Sequence, residues 1–201
     1  MRIVESEFIK SAVKPDQYPA SQYSDIAFAG KSNVGKSSLL NTLLGRKRIA
    51  KISSTPGKTR LINFFSVRFK TGEEEEETGF VNFTDLPGYG YAKVSKKERD
   101  SWKKMLSNYF NFRHQLRAVI MLVDIRHKAD SKDKIMIEML RESKIDFITV
   151  ATKSDKIPKN KILKTIKNLK AEFGVSEIIA VSSLKKSGID KLLQQIKDLL
   201  L

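Results

Sequence analysis

The chain of 201 residues contains no cysteine. Disulfides, thiolate chemistry and cysteine-ligated metals are therefore excluded. Its two histidines, His114 and His127, are too few for a histidine-based metal cluster. No apolar run approaches the roughly 20 residues that cross a bilayer, so membrane insertion is not expected. The first residues, Met1-Arg2-Ile3-Val4-Glu5-Ser6-Glu7, lack the basic start and apolar stretch of a signal peptide, and a cytoplasmic location is expected. Acidic residues are also scarce: 23 Asp and Glu stand against 38 Lys and Arg, for a formal net charge of +15. Charge abundance that served only solubility or heat tolerance would be balanced in sign. The surplus instead points to a polyanionic partner, most simply a nucleic acid held through its phosphates, without DNA sequence specificity.

What is present begins with Gly30-Lys31-Ser32-Asn33-Val34-Gly35-Lys36-Ser37. An apolar run, Ile26–Ala29, precedes this segment, and a helical pattern, Lys36–Leu44, follows it. Strand, glycine-bounded loop and helix form a phosphate-binding loop. Gly30 and Gly35 let the backbone curl so that its N–H groups converge on phosphate oxygens. The helix start adds the positive end of its dipole. Lys36 would reach the β- and γ-phosphates, and the Ser37 hydroxyl would bind Mg²⁺.

The rest of the chain alternates strand and helix. Leu61–Phe69 and Phe80–Thr84 read as a hairpin whose tip carries five glutamates, Glu73 to Glu77, a solvated run with no catalytic role. A helix is expected over Lys96–Phe112, with Trp102, Met105, Leu106 and Tyr109 as a core stripe. Strands follow at Ala118–Val123, Asp146–Ala151 and Ile178–Val181. Helices follow at Lys132–Arg141, from Pro158 toward Phe173, and at Ile189–Leu200. The expected fold is α/β and doubly wound: a mostly parallel six-stranded sheet with one antiparallel edge hairpin and helices on both faces. Residues 1–24 read as an extension packing on a nucleotide-binding domain of residues 25–201, with Phe8, Ile9 and Val13 available to the core. Ligands should gather at the carboxyl ends of the strands.

Three later segments each follow a strand. Asp85-Leu86-Pro87-Gly88 offers a carboxylate that can hold Mg²⁺ through its water shell, and a glycine whose N–H can meet a γ-phosphate. Thr152-Lys153-Ser154-Asp155 offers an acceptor-only carboxylate. That suits the N1–H and 2-amino donors of guanine, a pair adenine lacks, while the Lys153 stem lies along the ring. Val181-Ser182-Ser183 has side chains small enough for a backbone N–H to approach the guanine oxygen. Lysines crowd the segment after Asp155, where they serve equally as a solvated face. A second basic group, Arg46, Lys47, Arg48, Lys51, Lys58 and Arg60, flanks the loop before residue 61 and would couple RNA contact to nucleotide state.

Together with TPGKTR and LINFF, DLPGYGYA, and the VDIRH segment at Val123–His127, these motifs resemble the EngB (YihA/YsxC) family of bacterial GTPases from Asp25 to the C-terminus. The resemblance implies a Ras-like P-loop GTPase fold, GTP and GDP binding with Mg²⁺, slow hydrolysis, a role in large ribosomal subunit assembly, and a requirement in cell division and septation. By position it makes Ser37 and Thr59 the Mg²⁺ ligands, with Thr55 the competing candidate. It places Gly57, Lys58, Thr59, Arg60 and Leu61 near the nucleotide, and gives catalytic weight to Lys36, Thr59 and Gly88. Two features depart from the common GTPase pattern. Thr152 stands where many such proteins have Asn, and Tyr89 follows Gly88 where Ras has a water-positioning Gln. Asn33 resembles the position that helps hold a monovalent cation in related GTPases, so stimulation by K⁺ is an expectation. The expected protein is a monomeric GTPase switch that binds ribosomal RNA or a large-subunit precursor. The alternatives are a P-loop ATPase or kinase, a basic RNA-binding module using guanine nucleotide as a structural ligand, and a membrane-associated division protein.

Overall fold

The computed structural model describes residues 1–45, 61–72, 76–90 and 95–200. Strand β2 (Asp25–Gly30) is buried along its whole length and organises the molecule. Side chains alternate across it, so Ile26 and Phe28 enter one core layer while Ala27 and Ala29 enter the other. β4 (Glu77–Asp85) and β5 (Leu116–Asp124) flank β2 in parallel, and β6 (Asp146–Thr152) and β7 (Ile179–Ala180) continue beyond β5. On the other side β3 (Ile62–Thr71) runs antiparallel to β4, and β1 (Arg2–Ala12) runs antiparallel to β3. The sheet order is β1-β3-β4-β2-β5-β6-β7.

Helices cover both faces because each carries an apolar stripe at helical spacing. α1 (Lys36–Leu43) and α5 (Ile189–Leu200) bury Leu39, Leu40, Leu43, Leu192 and Ile196 against the Ile26/Phe28 face. α2 (Lys96–Phe112), α3 (Ser131–Glu142) and α4 (Lys159–Phe173) cover the opposite face with Leu106, Tyr109, Met136, Leu140, Leu169 and Phe173. Ser95 starts α2 with a capping box to Glu98, and Gly174 stops α4 in the left-handed conformation.

Among the described residues the sheet has seven strands rather than six, and the β3–β4 hairpin is not at its edge, because β1 covers β3. The missed strand has a physical reason. Its register shifts between Ile3 and Glu5 and again between Phe8 and Lys10, which breaks the two-residue alternation that marks a strand. Phe8 packs edge-on against Phe65, with ring centroids 5.7 Å apart, and Val13 lies against the opposite core layer. Ile9, expected to be available to the core, is exposed instead. Of the five glutamates, Glu76 and Glu77 are exposed, and residues 73–75 lie outside the described residues.

A buried ion pair ties residues 13–24 to the sheet. Asp25 accepts from Arg113 Nε at 2.6 Å and Nη2 at 3.0 Å, with both side chains almost wholly buried. Arg113 also donates to the Pro19 carbonyl at 2.7 Å, and Asn82 donates to Asp25 and to Ser21. Removing one partner of such a pair leaves the other as an uncompensated charge. Arg113→Met is therefore expected to cost about 3–5 kcal/mol in urea denaturation, and a loss below about 1 kcal/mol would contradict this role for the pair.

Candidate functional site: a phosphate loop and a purine pocket

The phosphate loop leaves β2 at Gly30. A Cβ there would lie 2.9 Å from Val34 Cγ1 and 3.0 Å from the Leu122 carbonyl oxygen, so a larger residue does not fit. Gly35 sits at φ +111°, a conformation L-residues rarely adopt, and provides no side-chain cap for α1. The first-turn N–H groups of α1 are thus uncapped, which makes them an anion site. Ser37 is exposed on that turn. Lys36 reaches across to β4 and forms an ion pair with Asp85, both side chains being mostly buried. Asn63 of β3 lies 3.5 Å from the second Asp85 oxygen, and Ser11 of β1 donates to Asn63 at 2.7 Å.

Two residues of the purine segment clamp the loop from the opposite side. Thr152 Oγ1 is 2.6 Å from the Val34 carbonyl, and Lys153 Nζ is 2.5 Å from the Asn33 carbonyl. With the Val34 C=O turned to Thr152, the Gly35 N–H of the same trans peptide points the other way. Thr152 therefore tethers the loop but has no amide to offer a base. Ser154 N donates to the Val181 carbonyl at 3.0 Å. Ser182 Oγ donates to Asp155 Oδ1 at 2.5 Å, which holds that carboxyl below its ordinary range. The structure thus brings Asp155 together with Val181 and the buried Ser182, with Ser183 partly exposed beside them.

The segment after Asp85 folds back onto the phosphate loop. Ser32 donates to the Tyr89 carbonyl through its N–H at 2.8 Å and its hydroxyl at 3.1 Å. A Cβ on Gly88 would come within 3.3 Å of Ser32. Leu86 is buried, and Trp102 of α2 donates to the Pro87 carbonyl at 3.1 Å. The Tyr89 side chain turns into the core and donates to Asp133 Oδ1 at 2.7 Å. Burial, and then the Asp133 carboxylate, push the Tyr89 phenol well above its ordinary range. Its phenol is therefore occupied away from the phosphate loop. Lys31 pairs with Asp130 at 3.0 Å. Gly57, Lys58, Thr59 and Arg60, with Thr55 and the basic group from Arg46 to Arg60, lie outside the described residues, and Leu61 directly precedes β3.

Motif reading did not find the partners of Asp124. This residue ends β5 with its carboxylate 3.0 Å from Lys153 Nζ and 2.7 Å from Arg126 Nη2. Burial pushes the Asp124 carboxyl up, but hydrogen bonds from Arg126 and Lys153 outweigh that and hold it well below the carboxylate range.

A glycine-bounded loop opening a helix, with its lysine paired to the aspartate that ends β4, defines a P-loop nucleotide-binding protein. The comparisons agree. Residues 25–153 match the family model described as 50S ribosome-binding GTPase. The chain is 45% identical to the probable GTP-binding protein EngB of Alkaliphilus oremlandii over 202 residues, 99% of this chain and 92% of that protein. It is 47% identical to the protein of the same description from Clostridium beijerinckii over 199 residues, covering 98% and 96%. A crystal structure of a probable GTP-binding protein engB superposes with a TM-score of 0.66 at 24% identity, covering 88% of this chain and 98% of that one. Era in complex with MgGDPNP and nucleotides 1506–1542 of 16S ribosomal RNA superposes with a TM-score of 0.64 at 25% identity, covering 89% and 57%. The chain belongs to the EngB family of GTP-binding proteins, and it is a GTP-hydrolysing enzyme of the P-loop class.

The carboxyls set a pH dependence. Asp124 and Asp155 have folded-state values below their unfolded ones. Their contribution to stability is complete above the unfolded value of about 4 and is lost as pH falls through the folded values. Asp133, raised by burial, works in the opposite sense and opposes folding as it ionises. Urea midpoints should therefore fall below about pH 4, and Asp124→Asn should make that acid limb shallower. An acid limb of unchanged slope in the variant would contradict the assignment.

Proposed function

We propose that the protein is a Mg²⁺-dependent GTP/GDP switch acting in assembly of the large ribosomal subunit, and that normal cell division and septation require it. The observation that carries the nucleotide part of this reading is that the Lys36–Asp85 ion pair and the turn bearing Asp155 both lie beyond the carboxyl ends of parallel strands of one sheet. In this assignment residues 30–37 cradle the β- and γ-phosphates through backbone N–H groups. Lys36 leaves Asp85 for phosphate oxygens and stabilises the charge that develops there during hydrolysis. Gly88 offers its N–H to the γ-phosphate. Asp155 accepts from the guanine N1–H and 2-amino group, Lys153 lies along the ring, and Ser154 and residues 181–183 close the pocket.

The residues at this site fit Mg²⁺. One mostly buried carboxylate and one exposed hydroxyl at the loop are few protein ligands, as suits an ion that keeps its waters and binds phosphate oxygens. Ser37 and, by the family resemblance, Thr59 would hold it, and the ion would neutralise charge between the phosphates. Tyr89 is committed to Asp133, so hydrolysis draws on another residue, a partner or a cation at Asn33. Gly57, Lys58, Arg60 and Leu61 belong to the nucleotide-sensing loop in the same proposal.

The ribosomal partner is supported by charge. α4 is 15 residues long, and its one acid, Glu172, accepts from the Ala129 N–H. Lys159, Lys161, Lys164 and Lys167 are exposed around Leu163, which is 84% exposed. α3 and α5, in contrast, mix acids with bases. From Lys159 to Lys167 this single-sign stretch is about 12 Å long, which suits a phosphate backbone. The description of the matched family supports a large-subunit partner, and the Era neighbour, bound to 16S ribosomal RNA, supports RNA contact in general.

Co-sedimentation with large-subunit particles tests this. Binding should weaken steeply with salt, differ between the GTP and GDP states, and lose about 0.7–0.9 of log–log salt slope for each phosphate-contacting lysine of α4 changed to Gln. Equal binding in both nucleotide states, or none at low salt, would sink the reading.

A further inference from the structure

The Val123–His127 segment belongs to no role assigned so far, yet its acid stands at the centre of the purine pocket's support. In the parallel pairing of β5 and β6, Asp124 lies directly beside Thr152. The chain then turns sharply at Lys153, which takes φ +61°, a left-handed conformation unusual for a side chain of this size. The turn throws the lysine back over the phosphate loop. Its ammonium ends between two acceptors, the Asn33 carbonyl at 2.5 Å and Asp124 Oδ2 at 3.0 Å. Its Cε would lie 3.8 Å from a Cβ on Gly35, so the stem passes across that part of the loop. Asp124 is fixed in its turn. Arg126 grips both of its oxygens, Nε to Oδ1 at 2.9 Å and Nη2 to Oδ2 at 2.7 Å, while the Arg126 backbone N–H donates to Oδ1 at 3.1 Å.

We propose that Asp124 is a positioning residue for guanine-nucleotide binding, holding the Lys153 side chain as a preformed bar against which the base lies, with Arg126 holding Asp124. This rests on the assignment of Lys153 and Asp155 to the base. A free lysine stem has many rotamers, and ordering it when nucleotide arrives would subtract from affinity. Here both ends are already tied, one by the strained turn and the other by two acceptors. Asp124 also balances the ammonium charge, so the apolar stem can meet the ring without a bare cation beside it. The lost ordering appears mainly in how long nucleotide stays bound, because related complexes differ chiefly in their dissociation rates.

Stopped-flow release of a fluorescent GDP analogue from the full chain tests this. Asp124→Ala should speed release about tenfold, the scale of one hydrogen bond between charged groups. Asp124→Asn, nearly the same shape, should restore part of that by keeping an acceptor for Lys153. Arg126→Gln, at an exposed position, should speed release roughly threefold. In a Lys153→Met background, Asp124→Ala should add less than about twofold, because the interaction it removes is already gone. A merely structural role would multiply through in that background. Wild-type release from Asp124→Ala, or a full tenfold effect on top of Lys153→Met, overturns the proposal. If the alanine variant does not fold, Asp124→Asn and Arg126→Gln carry the same test, and wild-type release from both overturns it. Asp155→Asn is the control for the underlying assignment and should trade guanine for xanthine nucleotide preference. If it leaves preference unchanged, the base-site reading and this proposal fall together. If preference switches while the Asp124 variants release GDP normally, only this proposal falls.

Discussion

The parallel register of β4, β2, β5 and β6 is the constraint from which the site follows. Phe28 pairs with Asp85, Gly30 with Leu122, and Asp124 with Thr152. Those pairings bring a glycine turn, two carboxylates and a threonine-lysine turn to one end of the sheet. A slip of one residue in any strand would send its side chains to the other face. The two-layer core prevents that slip, because Ile26 and Phe28 are buried under α1 and α5 while Ala27 and Ala29 are buried under α2, α3 and α4.

On that frame the phosphate loop is gripped from both flanks. Lys36 meets Asp85 on the β4 side, and Thr152 and Lys153 take the Val34 and Asn33 carbonyls on the β6 side. Occupying carbonyls is a way of aiming amides, since a trans peptide points its N–H opposite its C=O. Thr152 makes this tether with a hydroxyl and carries no side-chain amide. The tyrosine after Gly88 has a comparable division of labour. Its backbone carbonyl holds Ser32, its ring packs against Trp102 with centroids 5.5 Å apart, and its hydroxyl is spent on Asp133. A residue placed this way anchors the turn after Asp85 between α2 and α3.

What could be read in advance was local. The phosphate loop, the Asp85–Gly88 turn and the Thr152–Asp155 turn are contiguous, and each announces itself by residue types that one backbone shape requires. The helices were legible for the same reason, as stripes such as Leu106 and Tyr109 repeat within a few residues. What escaped notice depends on pairing across distance or on broken periodicity. β1 was hidden by its two register shifts. Asp25 and Arg113 are 88 positions apart, and Tyr89 and Asp133 are 44 apart. The link between Asp124 and Lys153 spans 29 positions and exists only because β5 and β6 are neighbours in register.

The central claim is that one pocket holds a triphosphate through Lys36 and the loop amides while Asp155 selects guanine. Isothermal titration of the full chain with GTP, GDP and ATP in the presence of Mg²⁺ tests it most directly. The account predicts saturable one-site heats for GTP and GDP and none for ATP at the same concentrations. No heat with either guanine nucleotide, or equal heats for ATP and GTP, would contradict it.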